Sequence, residues 1–230
     1  MCIEDAAHAW DLEYEAGRYQ HEAPVAFVDD ILAAAGANGL GTAEGLYIGC
    51  GNGRNYLPLR EAGLDLVGLD ISRAAIDQLA ARMPACHDRL IPGDLAALPA
   101  GHTWPIVIGI QVFQHGDRTG AHAHLLAAQR RLRPGGLFCL RVNAVGTDVW
   151  PAHEVVEQDP DAGFTVRYTA GAKRGLFIHF FAGTELDMLF DGYTPVLPRR
   201  VTSTRRTPPA PGQWAQWEAI YRSPPRSVAS

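Results

Sequence analysis

Between residues 45 and 143, short apolar runs alternate with amphipathic stretches, and this alternation sets the expected architecture. The runs Gly45–Gly49, Leu64–Asp70, Arg89–Ile91, Pro105–Val112 and Gly136–Val142 have the length and character of strands in βαβ units. The segments between them suit helices. Ser72 is placed to cap "RAAIDQLAARM" and Thr119 to cap "GAHAHLLAAQRRL", which ends at Pro134-Gly135-Gly136. Five strands joined by helical crossovers predict an open, doubly wound α/β sheet with helices on both faces, not a closed barrel.

Two regions flank this core. Near the N-terminus, Pro24 fits the first turn of a helix on which Val28, Ile31, Leu32 and Ala35 recur at helical spacing, which predicts a helix packed on the core. After residue 143 the pattern is irregular to about residue 182. It resumes in "GTELDMLFDGY", with Thr184 as cap and Leu186, Leu189 and Phe190 on one face. Two strands, Pro195–Thr204 and Trp214–Tyr221, follow, joined by the turn-rich "TPPAPGQ". The tail "SPPRSVAS" is expected to fray. The chain reads as a single domain over 1–230. Its parts are a helical cap (1–44), a sheet core (45–143), a covering insertion (144–194), a strand pair (195–222) and a tail (223–230).

Composition narrows the classes without changing this picture. With 230 residues, 47% apolar and 20% charged, the chain can bury the core of one large soluble domain. No apolar run approaches the roughly 18 residues of a membrane span. The acidic start "MCIEDAAHAWDLEYEAG" lacks the basic and apolar regions of a secretory leader, so the expected location is the cytoplasm. Cys2, Cys50, Cys86 and Cys139 form no CxxC pair, which speaks against a disulfide framework or a thiolate zinc site. A net charge of −5 gives no reason to expect nucleic acid as a partner. Arg199, Arg200, Arg205 and Arg206 form a local basic cluster, read as a solvated strand and turn.

The chemistry begins at "GLYIGCGNGRN", where Gly49, Gly51 and Gly53 follow the first strand. A turn without side chains lets a ligand approach the backbone and the free N–H groups of the next helix. A dinucleotide fingerprint would need glycine where Arg54 stands, and the Gly-Lys-Ser/Thr of a P-loop is missing. Asp70 closes the second strand in "LVGLDIS", where a carboxylate can accept from both hydroxyls of a ribose or cap the following helix. In "PGDLAALP", Asp94 lies just past the third strand, where it or its backbone can meet an adenine amino group or simply make a turn.

Through "YIGCGNGRN", "GLDIS", "PGDLAALP", "VFQH" and "LRPGGLFCLRVN", residues 45–143 resemble the class I S-adenosylmethionine-dependent methyltransferases. The resemblance implies a seven-stranded Rossmann-like sheet ending in an antiparallel edge, with S-adenosylmethionine as cofactor. Gly49, Gly51 and Gly53 would then line its methionine part, Asp70 would hold the ribose, and Asp94 and Leu95 would frame the adenine. Cys50, Asn55 and Ile71 join them within the same motifs, and Gln111 joins them directly before "VFQH". One position departs from the family pattern: Tyr47 stands where an acid usually contacts the cofactor's amino group. Tyr47 is therefore either a ligand contact of another kind or a strand side chain packed on a helix.

The resemblance also implies an in-line methyl displacement, which asks the protein chiefly to position and desolvate the reactants. His115, at the end of the fourth strand, is the candidate general base, with packing as its alternative role. "FQHG" lacks the Asn/Asp-Pro-Pro-aromatic signature of methyltransferases acting on DNA adenine or protein glutamine. His115, Asp117, His122 and His124 invite a metal reading, but His122 and His124 project to different helix faces, so no metal is expected. Candidates for the acceptor pocket are Trp10, Tyr14, Arg18, Tyr19, Asn143, Arg167, Tyr168 and His179. The reading is thus methyl transfer to an oxygen or nitrogen of a small metabolite, with aromatic and natural-product acceptors among the candidates, by a monomer or homodimer. An RNA or protein methyltransferase, a nicotinamide-dependent oxidoreductase and a non-catalytic cofactor-binding protein are the rivals.

Overall fold

The computed structural model describes residues 3–150, 152–171, 173–207 and 210–225. Cys2, two prolines of the "TPPAPGQ" turn and the last five residues of the tail lie outside the described residues. Two N-terminal helices, α1 (Ile3–Glu15) and α2 (Phe27–Ala37), precede β1 (Glu44–Ile48) and α3 (Tyr56–Glu61). The core continues through β2 (Asp65–Asp70), α4 (Arg73–Arg82), β3 (Leu90–Pro92), β4 (Trp104–Ile110), α5 (Arg118–Gln129) and β5 (Leu132–Asn143). Then come β6 (His153–Asp159), β7 (Gly163–Tyr168), β8 (Phe177–Phe180), α6 (Gly183–Leu189), β9 (Thr194–Arg205) and β10 (Gln213–Arg222).

The main sheet has seven strands in the order β3-β2-β1-β4-β5-β10-β9, parallel from β3 to β5 and antiparallel at β10 and β9. Nearly every residue of β1, β2 and β4 is buried, as strands covered on both faces require. Side chains alternate between two apolar layers. Leu46, Ile48 and Val107 join Leu125, Ala128 and Phe190 on the α5/α6 side, whereas Tyr47, Ile106 and Ile108 join Phe27, Ile31, Leu59 and Leu79 opposite. The strand order reverses between β1 and β4. A crevice therefore opens at their carboxyl ends, where such sheets place ligands.

The antiparallel edge is held in register by charge. Glu218 of β10 lies opposite Arg141 of β5 on one side and Arg200 of β9 on the other. Its carboxylate accepts from Arg141 Nε at 2.8 Å and Arg200 Nη2 at 3.0 Å, and Arg200 also pairs with Asp30 of α2. A one-residue slip would leave a buried Glu218 unpaired. Arg199 bonds Asp187 and the Gly183 carbonyl, and Arg206 bonds the carbonyls of Asp148 and Pro211, so these members of the basic cluster have partners within the chain.

Several local expectations are corrected. The stretch after residue 143 is not irregular but forms a second, three-stranded antiparallel sheet, β6-β7-β8. Most of β6 is exposed, so "HEVVEQD" lacks the alternation that marks a half-buried strand. Helix α5 starts at Arg118, because Asp117 Oδ1 accepts from Gly120 N at 2.8 Å and so provides the cap assigned to Thr119. At α6, Ala182 holds the cap position and Glu185 accepts its N–H at 3.2 Å, while Thr184 donates to the Asp161 carbonyl at 2.5 Å. Pro24 precedes α2, whose cap position is Ala26. Ser72 caps α4 as expected, accepting from Ala75 N at 3.1 Å.

Gly53 has φ +97°, and a Cβ there would lie 2.5 Å from Leu79 Cδ1 and 3.0 Å from Leu57 Cγ. Gly53→Ala should destabilise the fold by roughly 1–3 kcal/mol, through backbone strain and overpacking between α3 and α4. Denaturant unfolding with an unchanged midpoint would contradict this.

Candidate active site

The glycine turn wraps around the end of β2. Gly49 and Cys50 donate to the Leu69 carbonyl at 2.7 and 3.1 Å, and Gly51 donates to Asp70 Oδ2 at 2.8 Å. Ser72 donates to Asp70 Oδ1 at 2.9 Å, so each carboxylate oxygen keeps acceptor capacity for a ligand. Gly49 and Gly51 have φ +70° and +55°, a region unfavourable to other residues. A Cβ at Gly51 would sit 2.5 Å from the Tyr14 hydroxyl, and one at Gly49 2.6 Å from Val112 Cγ2. Burial is the main influence on Asp70 and raises its pKa to about 6 against the pull of the two N–H groups.

Asp70 opens into a cavity of about 520 Å³, lined also by Ile71, Asp94, Leu95, Gln111 and Val112. The Asp94 Oδ1 caps the turn at Leu95–Ala97 through Ala96 N at 2.9 Å, and its second oxygen is available. Gln111 has φ +59° directly after β4 and donates its N–H to the Arg141 carbonyl at 2.7 Å. A strained non-glycine residue at the crevice is a common mark of a functional site.

A second chamber of about 390 Å³ adjoins the first, and Trp10, Tyr14, Gly49, Gln111 and His115 line both. Its walls include Tyr19, Tyr47, Asn143, Tyr168, Phe180 and Trp214. Helix α1 forms the roof. Asp11 reaches the start of α4, accepting from Ser72 Oγ at 2.6 Å and Ala74 N at 3.0 Å, while Gln78 donates to the Tyr14 carbonyl at 2.9 Å. Burial, with Asp70 nearby, keeps the Tyr14 phenol protonated by raising its pKa well above the ordinary value.

His115 sits at the junction of the two chambers. Its Nε2 lies 3.1 Å from the Gln111 carbonyl, so Nε2 carries the proton. Its buried Nδ1 has no protein partner. The Trp10 ring meets the imidazole edge-on, with centroids 5.0 Å apart, and Lys173 Nζ lies 4.4 Å from the centre of the Trp10 ring. Burial first, then the Lys173 charge, lower the His115 pKa to about 3.

Of the residues singled out by sequence, the two chambers bring together Trp10, Tyr14, Arg18, Tyr19, Tyr47, Gly49, Cys50, Gly51, Asn55, Asp70, Ile71, Asp94, Leu95, Gln111, His115, Asn143 and Tyr168. Gly53 and His179 are not among the lining residues, and Arg167 pairs with Glu154 on the cover. Strand alternation turns the Tyr47 ring toward Tyr56, 6.1 Å away and edge-on. Asn55 bonds the Tyr47 side chain and accepts from Val25 N at 3.0 Å. Burial also holds the Tyr47 phenol protonated, so it can offer only an uncharged contact. Lys173 and Gln114 were not legible as lining residues. Lys173 lies in a turn without periodicity, and Gln114 looks like any polar loop residue until its buried Oε1, without a protein partner, is seen at the chamber.

Residues 46–136 match a family model described as a methyltransferase domain. No curated protein matches the sequence. The fold is shared with 1,6-didemethyltoxoflavin-N1-methyltransferase of Burkholderia thailandensis, solved with 1,6-didemethyltoxoflavin and S-adenosylhomocysteine. That match has a TM-score of 0.65 at 18% identity and covers 97% of this chain and 91% of the other. An S-adenosylmethionine-dependent methyltransferase from Clostridium acetobutylicum matches with TM-score 0.61 at 12% identity, over 97% and 100% of the two chains. The CcbJ methyltransferase of Streptomyces caelestis matches with TM-score 0.55 at 20% identity, over 85% and 95%. Residues 46–136 thus match a methyltransferase domain, an enzyme domain whose cofactor is S-adenosylmethionine, within a chain that shares the fold of S-adenosylmethionine-dependent methyltransferases.

The site suits that cofactor on its own geometry. Asp70 offers acceptors for two ribose hydroxyls, Ile71 and Leu95 border a slot for a flat base, and the glycine turn leaves its backbone uncovered. Asp70→Ala should weaken S-adenosylhomocysteine binding by more than about tenfold, the loss of charge-assisted hydrogen bonds. Because the pKa of Asp70 is about 6, the acceptor carboxylate is present above that pH and is lost as pH falls through it. Affinity should therefore be flat from pH 8 to 6.5 and fall by up to about tenfold per unit below 6, a dependence that Asp70→Asn removes. Calorimetry showing equal slopes for the two proteins would refute the assignment.

Proposed function

We propose that the protein transfers a methyl group to an oxygen or nitrogen of a small-molecule acceptor bound in the second chamber. The carrying observation is that chamber itself. It adjoins the cofactor cavity at His115, is bordered by α1 and the β6-β7-β8 cover, and has an aromatic lining and a volume suited to a small organic molecule. The Burkholderia relative of the same fold is named for methylating 1,6-didemethyltoxoflavin and was solved with it, which supports an acceptor of similar kind. In this reading residues 1–44 and 144–194 form the cap and cover of the acceptor.

Bound S-adenosylmethionine supplies a methyl group on a positively charged sulfur. The chain's task is to hold the nucleophile in line and dry. Trp10, Tyr14 and Tyr19 close the chamber from above, and Tyr168 closes it from the cover. In this reading a small turn of the neutral His115 ring brings its buried, unpartnered Nδ1 to the acceptor, where it accepts a hydrogen bond from the O–H or N–H that will be methylated. With its pKa at about 3, the imidazole orients the nucleophile's lone pair and takes the proton only as the new bond forms. Lys173, which donates to the Tyr19 hydroxyl at 3.2 Å, keeps this part of the chamber positive and suits an acceptor carrying a carbonyl or other electron-rich group.

The test is methyl transfer from labelled cofactor to a panel of small hydroxylated, aminated and heteroaromatic compounds, alongside RNA and protein. Transfer confined to RNA or protein, or cofactor binding without transfer to any acceptor, would refute the proposal. His115→Ala should lower kcat by about tenfold or more, a loss of about 1.4 kcal/mol or more, while the cofactor Kd stays within about twofold. Wild-type kcat/KM should show no imidazole limb between pH 6 and 7 that His115→Ala abolishes. Equal turnover of the two proteins would make His115 a packing residue.

A further inference from the structure

A group of side chains outside the cleft is arranged as metal ligands. His122 of α5, His179 of β8 and Glu185 of α6 converge so that their ligand atoms lie within 4.8 Å of one another. The Nε2 of His179 stands 3.0 Å from both Glu185 oxygens, and the Nε2 of His122 contacts Oε1 of the same carboxylate. His179 and Glu185 are fully buried, and His122 is partly exposed. None of the three belongs to the lining of either chamber. On β8 the neighbours Ile178 and Phe180 face the acceptor chamber, and strand alternation turns His179 the other way.

The hydrogen bonds around the centre fix how the far nitrogen of His179 is held. Glu157, paired with Arg118 at 3.0 Å, is an acceptor, so Thr165 directs its hydroxyl proton to Glu157 Oε2 at 3.3 Å. The Thr165 oxygen can then only accept from His179 Nδ1, 2.9 Å away. With its proton on Nδ1, a neutral His179 points the lone pair of Nε2 at two carboxylate oxygens. Lone pair would then face lone pair in a buried setting, a conflict that either a second ring proton or a metal cation resolves, and the convergence of His122 on the same carboxylate suits the cation. A histidine whose far nitrogen is fixed by a hydrogen bond is the usual form of a metal ligand.

We propose that His122 Nε2, His179 Nε2 and a Glu185 oxygen bind one divalent transition-metal ion of the zinc class. Two imidazoles and one carboxylate suit such an ion in type and number, and the exposed side of His122 admits water as a fourth ligand. The ligands come from two helices and a strand, and binding needs only a small opening of the His122–Glu185 contact. The ion clamps α5 of the core to β8 and α6, and so stiffens a strand that walls the acceptor chamber. This proposal departs from the expectation of no metal, which weighed His122 with His115, Asp117 and His124. The fold sends His124 instead to Phe113, 5.1 Å away, and to the cofactor cavity.

The experiment uses the tag-free full chain, stripped with a chelator and titrated with Zn²⁺ by calorimetry and with Co²⁺ by visible absorption. One equivalent should bind with a Kd below about 1 μM, raise the thermal midpoint and give cobalt bands of nitrogen and oxygen ligation. His122→Ala, at a partly exposed position compatible with folding, should weaken binding by roughly hundredfold or more. Glu185→Gln should do the same, while His87→Ala on the surface leaves it unchanged. Absence of stoichiometric binding, or equal binding by wild type, His122→Ala and Glu185→Gln, would overturn the site. So would nitrogen NMR showing that His179 Nε2 keeps a proton in the presence of zinc.

Discussion

The site depends on how the carboxyl end of β2 is tied to the glycine turn after β1. Two turn amides bond the Leu69 carbonyl, and Asp70 holds Gly51 with one oxygen and Ser72 with the other. These contacts bring the turn, the start of α4 and the Asp70 carboxylate into one rigid unit. They also account for the glycines, because a chain that folds back on its neighbouring strand within so few residues needs positive φ and no Cβ beneath Tyr14 and Val112. The same burial that fixes Asp70 raises its pKa to about 6, so the group that gives the site its structure also makes it sensitive to pH.

The roof is built by a second use of the same region. Ser72 caps α4 with its oxygen and donates its hydroxyl proton to Asp11, and this seats α1 above the cleft. Trp10, Tyr14 and Tyr19 therefore cover the cleft through polar anchors at one edge rather than through deep apolar burial. That arrangement permits a cap to hold a ligand and still release it. On the opposite side the three-stranded sheet contributes Tyr168, Ile178 and Phe180, and its second face carries the His122–His179–Glu185 cluster. One thin sheet thus walls the second chamber on one side and packs a buried histidine–glutamate cluster on the other.

Tyr47 illustrates how a departure from a family pattern can be reinterpreted by packing. On a strand, a one-residue step changes the face, and Tyr47 belongs to the layer containing Tyr56 and the α2 helix. Its hydroxyl is held by Asn55 and its ring fills the core beside the chamber, so it shapes the wall without supplying charge. Asn55 is likewise divided between Tyr47 and the backbone of Val25. Both positions touch the cleft, and both act through packing and hydrogen bonds within the chain.

The core was legible because its determinants are local. Apolar runs of strand length, Ser72 before a helical pattern, and Gly49, Gly51, Asp70 and Asp94 at fixed spacings each express a backbone requirement within a few residues. What could not be read depended on partners far along the chain. The cover strand β6 is too exposed to alternate, and Lys173 reaches Trp10 across more than half the sequence. His179, placed by sequence with the acceptor pocket, meets His122 and Glu185 through the approach of a strand and two helices. The sequence by itself determined the sheet, its crevice and the cofactor end of the cleft, since periodicity and turn chemistry encode them. Only the tertiary structure decided the second chamber, the face taken by Tyr47 and the buried histidine cluster, because long-range packing alone brings those side chains together.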